Sequence, residues 1–311
     1  MFSVRKIGFG EILNKSIFLF IVLIFNVVPG YADQLQDGSN AYLRKDYEKA
    51  HRLIFPLAKK GNVMAQFFLG TMYDHGKGVP HNAMIAFKWY SHSAELGYSK
   101  AQFNLAEMYR EGFIVAQDFA KALKWYRLAA EQGLAEAQCN LGSMYERGQG
   151  VRQNYKKAVK WYHLSAKQGY ALAESNLGVM YEYGQGITIN YERAIRWYRR
   201  AAKQGLAGAQ ANLGLMYESG KGIMQDYKEA EKYYRLAAEQ GNNLAQNYLG
   251  VLYVLGQGVS KDYVLAYMWF SLSGSRGLKD GVKNQKRIEE KMSKQQIEKA
   301  QRMARNWKAK K

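Results

Sequence analysis

Residues 137–172 read AQCNLGSMYERGQGVRQNYKKAVKWYHLSAKQGYAL. The same pattern restarts at Ala65, Ala101, Ala173, Ala209 and Ala245, so the period is 36 residues and never slips. A fixed period of this size marks stacked supersecondary units that bury their apolar faces only against neighbours. Within the quoted stretch, Ala137, Leu141, Met144 and Tyr145 fall at i, i+4, i+7 and i+8. Ala158, Trp161, Tyr162, Ser165 and Ala166 fall at i, i+3, i+4, i+7 and i+8. Both are single stripes of the 3.6-residue period, so each repeat is two helices, A and B.

The punctuation agrees with that reading. Gly148 stands where a left-handed cap would end helix A. The place before helix B is Asn82, Asp118, Asn154, Asn190, Asp226 and Asp262, all short acceptors suited to an N-cap. Gly97, Gly133, Gly169, Gly205, Gly241 and Gly277 close helix B. Inside helix A one place reads Gly70, Ala106, Gly142, Gly178, Gly214 and Gly250, although glycine in a helix costs about 1 kcal/mol against alanine. A neighbouring helix must approach closely there. The aromatic pairs of helix B, such as Trp161-Tyr162 and Trp197-Tyr198, supply the large rings that answer it. Each ring buries roughly 150–250 Å², a gross gain of about 4–6 kcal/mol.

The pattern AQxNLGxMYxxGxGVxxNYxxAxxWYxxxAxQG, read from Ala137, resembles the Sel-1-like repeat, a relative of the tetratricopeptide repeat. Local departures are Ile114 in a turn-glycine place, Ala83 after an N-cap, and Ser273-Gly274 at the end of the last helix B. The expected fold is all-α, a right-handed α/α superhelical solenoid of six helix-turn-helix repeats with terminal capping helices. The repeats divide as 65–100, 101–136, 137–172, 173–208, 209–244 and 245–280. Residues 33–64 form a degenerate opening repeat, with a first helix from about Gln34 to Arg44 and a second that Pro56 should kink. Residues 281–311 form capping helices, where Ser293 and Gln296 have capping-box spacing and Ile297, Ala300, Ala304 and Trp307 share a face.

Residues 1–32 read as a secretory signal peptide. Arg5, Lys6 and Lys15 precede an apolar run from Ser16 to Val28, interrupted only by Asn26, and Gly30-Tyr31-Ala32 offers small residues for cleavage. The run is shorter than the roughly 20 residues that span a bilayer. The expected mature chain starts at Asp33, is periplasmic or secreted, and has no transmembrane segment. The formal charge of the whole chain is +19. On an exported chain such a field favours anionic envelope material or acidic partners over nucleic acid.

No catalytic, cofactor or metal motif is present. HExxH and GxxxxGK[ST] are missing, and Gly76-Lys77-Gly78 and Gly220-Lys221-Gly222 are repeat turns. His75, His81 and His92 share one repeat and leave a weak metal site as the alternative to ordinary surface-loop and helix-B positions. A cysteine-rich branch of the Sel-1-like family is associated with β-lactamase-like activity, but Cys139 is the sole cysteine here. The resemblance therefore implies a non-catalytic scaffold that binds a protein partner on a concave surface lined by helix A. The candidate residues are the asparagine ladder Asn104, Asn140, Asn176 and Asn212 with the variable places Glu107, Ser143, Val179 and Leu215. Asparagine both donates and accepts hydrogen bonds, so an inter-repeat bond is the competing role. The alternative function is binding of an anionic envelope polymer on a helix-B ridge of Lys88, Lys124, Lys160, Arg196 and Lys232, with Arg127, His163, Arg199 and Arg235 one turn on.

Overall fold

The computed structural model describes residues 29–310. Among them are sixteen helices, with no strand. The chain falls into two compact units, the first ending at Asp118 and the second beginning at Phe119.

The first unit holds α1 (Pro29–Leu43), α2 (Tyr47–Lys59), α3 (Val63–His75), α4 (Ala83–Glu95) and α5 (Ser99–Glu111). Each helix packs on the next in chain order. Helix α1 begins at Pro29, five residues before the expected start. Most of the signal-peptide assignment, residues 1–28, lies outside the described residues. Helix α2 continues through Pro56 to Lys59.

The second unit holds α6 (Phe119–Glu131), α7 (Ala135–Arg147), α8 (Tyr155–Lys167), α9 (Ala171–Tyr183), α10 (Tyr191–Lys203) and α11 (Ala207–Ser219). It continues with α12 (Tyr227–Glu239), α13 (Asn243–Leu255), α14 (Tyr263–Ser275), α15 (Lys279–Glu289) and α16 (Lys294–Asn306). Successive helices again stack as far as α15, and α14 also receives α16. The capping box of α16 is formed at both bonds, Gln296 N–H to Ser293 Oγ at 3.3 Å and Ser293 N–H to Gln296 Oε1 at 2.8 Å.

The helix-B caps are made as expected at Asn82, Asn154, Asn190, Asp226 and Asp262. Asn154 Oδ1 accepts from the Lys157 amide at 2.9 Å, and Asn190 Oδ1 from Arg193 at 2.8 Å. Helix A ends in a left-handed glycine, for example Gly184 at φ 67°. The second turn glycine is needed for a different reason. A β-carbon on Gly186 would stand 2.4 Å from the Tyr155 carbonyl carbon, because the turn lies against the start of the preceding helix B.

The small place inside helix A meets one ring of each aromatic pair, the second. A β-carbon at Gly178 would be 2.6 Å from Tyr198 Cε1, and one at Gly142 would be 2.8 Å from Tyr162 Cδ1. Tyr162, Tyr198 and Tyr234 are fully buried, whereas Trp161, Trp197 and Tyr233 are half-buried beside them.

Polar links tie each repeat to the previous one. Gln138 Nε2 donates to the Ala130 carbonyl at 3.1 Å, and its Oε1 accepts from Gln168 at 2.8 Å. Gln210 repeats the arrangement with Ala202 and Gln240. In the first unit Gln66 reaches the Ala58 carbonyl, but its buried Oε1 has no partner, because the matching place is Leu96. Leu96 is 57% exposed. Leu96→Gln should therefore raise stability by about 1 kcal/mol, a typical net worth for one hydrogen bond. A urea midpoint measures the gain, and an unchanged midpoint would mean that water already serves this oxygen.

Candidate functional site

The asparagine ladder is occupied from within. Asn140 Nδ2 donates to the Tyr126 hydroxyl at 3.3 Å. The Asn104 and Asn212 amides lie beside the Tyr90 and Tyr198 hydroxyls in the same way, close enough to act on them. Each asparagine thus reaches back to the buried tyrosine of the preceding helix B. Asn176 instead approaches Cys139 Sγ at 3.8 Å. The tyrosine hydroxyls in turn donate to a carboxylate on their own repeat's helix A. Tyr198 bonds Glu182 at 2.7 Å, Tyr162 bonds Glu146 and Tyr234 bonds Glu218. Burial is the largest cause raising the pKa of these three phenols, and the adjacent carboxylate adds to it. They remain neutral donors throughout the physiological range.

What the amides do not claim is the row of variable side chains beside them. Glu107 is half-buried and pairs with Arg110 in the first unit. In the second unit Ser143, Val179 and Leu215 are half-buried on successive A helices. Residues one or two turns away on the same faces are more open. Leu172 is 46% exposed, Tyr183 60%, Leu244 46% and Leu255 57%. This exposed set was not picked out from the sequence, although its signal was there. On α7 the corresponding residues are Glu136 and Arg147, whereas on α9 they are Leu172 and Tyr183. The phenols of Tyr183 and Tyr248, two repeats apart, lie within electrostatic reach of each other.

The helix-B ridge divides into two rows. Lys124, Lys160, Arg196 and Lys232 are exposed in the second unit, and Lys88 is exposed in the first. Lys232 pairs with Glu229 at 3.0 Å, and Arg196 lies 3.8 Å from Glu192. The row one turn on is committed elsewhere. Arg127 donates to Tyr145 Oη at 2.9 Å, Arg199 to Tyr217 at 3.1 Å and Arg235 to Tyr253 at 2.6 Å. Those arginines hold the next repeat's helix A.

Cys139 is buried, and desolvation first, then the Glu146 charge, push its thiol up to about 12 against the opposing Asn176 contact. It is no nucleophile near neutral pH. Among the described residues no group of three His, Cys, Asp or Glu side chains is placed to hold a metal ion, and no helix is long and apolar enough to cross a membrane.

One framework exchange is not evident from the repeat pattern alone. The place held by glutamine in five repeats is Glu174 in the fourth, and its side chain is only 1% exposed. Arg200 Nε donates to Glu174 Oε1 at 2.7 Å, and Gln204 Nε2 donates to Oε2 at 2.8 Å. The Arg200 guanidinium also bonds the Ala166 carbonyl, which a glutamine at 174 would have taken.

Comparison with known proteins agrees with this architecture. The Sel1 repeat family model matches residues 32–62, 63–98, 99–134, 135–170, 171–206, 207–242 and 243–278. The opening helix pair is thus matched as a repeat in its own right. The crystal structure of a Sel1 repeat protein from Oxalobacter formigenes is 35% identical, with a TM-score of 0.73, covering 78% of this chain and 96% of that one. The APC/C hetero-tetramer Cut9–Hcn1 shares the fold at 15% identity and a TM-score of 0.52, covering 83% of this chain and 52% of that one. A 57-residue stretch is 39% identical to the chitin synthase regulator SKT5 of Saccharomyces cerevisiae, covering 18% of this chain and only 8% of that protein. With seven matched repeats and a relative at 35% identity over nearly its whole length, the chain belongs to the Sel1 repeat family.

Proposed function

We propose that this protein is a non-catalytic scaffold that holds a segment of a partner protein on the helix-A faces of its second unit. Stacked helix pairs of this class present extended binding surfaces. The observation that carries the reading is the contrast on those faces. Framework tyrosines, asparagines and glutamates are bonded to one another, while Leu172, Tyr183, Leu244 and Leu255 are left open. Large apolar side chains grouped on one surface mark a protein contact more often than a solvated face. Ser143, Val179 and Leu215 sit within this surface, and the asparagines serve it by fixing the spacing of the A helices. Residues 1–32 act as the export signal in this proposal, so the partner is an envelope or secreted protein.

A photo-crosslinking residue at Val179 and another at Lys160 test this in the native host. A discrete protein adduct from Val179, abolished by Tyr183→Ala with Leu255→Ala and indifferent to Lys160→Gln, is the expected result. A heterogeneous polymer adduct from Lys160 alone would instead favour the exposed ridge and anionic envelope material. That outcome would overturn the scaffold assignment.

A further inference from the structure

The positive charge of the chain is concentrated at its C-terminal end. Residues 279–311 hold twelve Lys and Arg against four Asp and Glu, a net +8 out of the whole chain's +19. On α15, Gly281 and Ile288 are buried, and Lys279, Lys283, Lys286 and Arg287 stand exposed on the opposite side. On α16, Ala300 is buried, Ile297 and Trp307 pack on the core, and Arg302 and Arg305 are exposed. None of these six cations is paired with a carboxylate among the described residues, whereas Lys310 is tied to Glu239 at 2.7 Å. Like charges three and four residues apart oppose helix formation, so this stripe is kept against local preference.

We infer that the outer face of α15 and α16 docks the protein electrostatically onto an anionic lipid bilayer surface. The cations are spread over two helices, which suits a field of dispersed headgroup charges. A single-stranded nucleic acid would need aromatic platforms for its bases. The one aromatic residue of this segment, Trp307, is packed against Trp269 and under Arg276. The apolar sides of both helices are largely spent on the protein core, and the one exposed apolar side chain among the cations, Val282 at 41%, is too small to anchor the protein among acyl chains. Attachment is therefore peripheral and reversible. It uses different helices from the proposed partner surface and does not depend on it.

The test is co-sedimentation of the full chain with vesicles of mixed phosphatidylglycerol and phosphatidylcholine, against phosphatidylcholine alone. Binding to the anionic vesicles only, fading as salt approaches about 0.5 M and screening lengths fall below about 5 Å, is expected. Each surface cation contributes about a fivefold factor. K279Q/K283Q/K286Q/R287Q should thus weaken binding about 100-fold or more, and R302Q/R305Q about 20-fold. The second variant lies on a different helix and keeps the test valid if the first loosens α15. K124Q/K160Q/R196Q/K232Q, on the helix-B ridge, should leave binding intact. Equal binding to neutral vesicles, no loss in either cap variant, loss in the ridge variant, or tighter binding to duplex DNA at the same salt would each overturn the inference.

Discussion

Gly178→Val is expected to destabilise the second unit by about 3 kcal/mol, at the upper end of the range for overpacked cores. The first added carbon already stands 2.6 Å from the Tyr198 ring, and the branched methyl groups enter the same space. The ring has no room to retreat. It is fully buried, and its hydroxyl is held by Glu182 at 2.7 Å. Moving the ring breaks that bond and leaves a nearly buried carboxylate without its donor. Because each repeat contacts only its neighbours, the loss should be local to the fourth and fifth repeats. Amide exchange should accelerate first in α9, α10 and α11, and the denaturant midpoint should fall. An unchanged midpoint would mean that α9 and α10 are less closely apposed in solution than the geometry requires.

The second large effect concerns the buried ion pair of the fourth repeat. Arg200→Leu places in this repeat the leucine found at Leu128, Leu164 and Leu236, yet it should cost about 2–4 kcal/mol. The arginine is half exposed, which keeps the figure below that of a fully buried pair, but Glu174 is not. Removing the guanidinium strands a buried carboxylate with Gln204 as its remaining donor and leaves the Ala166 carbonyl unserved. Adding Glu174→Gln should restore nearly all the loss, because glutamine rebuilds the bonds that Gln138 and Gln210 make. A double-mutant cycle on urea midpoints should give a coupling of about 2 kcal/mol or more. Additive effects would show that the pair contributes only independent contacts.

These two cases differ in how far the sequence discloses them. The glycine inside helix A was legible, since a costly residue kept at one place demands a close neighbour. The ring it faces was not, because Trp197 and Tyr198 are equally large and only the crossing of α9 and α10 decides which points inward. The helix ends were legible because their signals are local: Asn154, Asn190 and the turn glycines each act within a few residues. The role of the asparagines was not, since the hydroxyl that Asn140 bonds lies fourteen residues earlier on a different helix. The Glu174–Arg200 exchange was written in the sequence as two departures within one repeat, twenty-six positions apart. Linking them needs the knowledge that these places face each other. The open apolar faces of α9 and α13 are composed of residues that would pass singly for ordinary surface.

The hydrogen bonds between repeats have one property in common: each is defined by an offset rather than by an address. Gln138 finds its carbonyl eight residues back, Asn140 its hydroxyl fourteen back, Arg127 its tyrosine eighteen ahead, and Gln168 the Gly133 carbonyl thirty-five back. Such a pattern is translation-invariant. A segment of 36 residues duplicated or deleted in phase presents the same donors to the same acceptors at the new junction, and no bond is left open by the event. Length is therefore a nearly free variable for this architecture, able to change by whole modules through unequal recombination while the packing of every surviving module stays the same. The side chains outside the relay, Ser143, Val179 and Leu215 among them, differ from module to module, so a change in copy number also changes which surface is displayed.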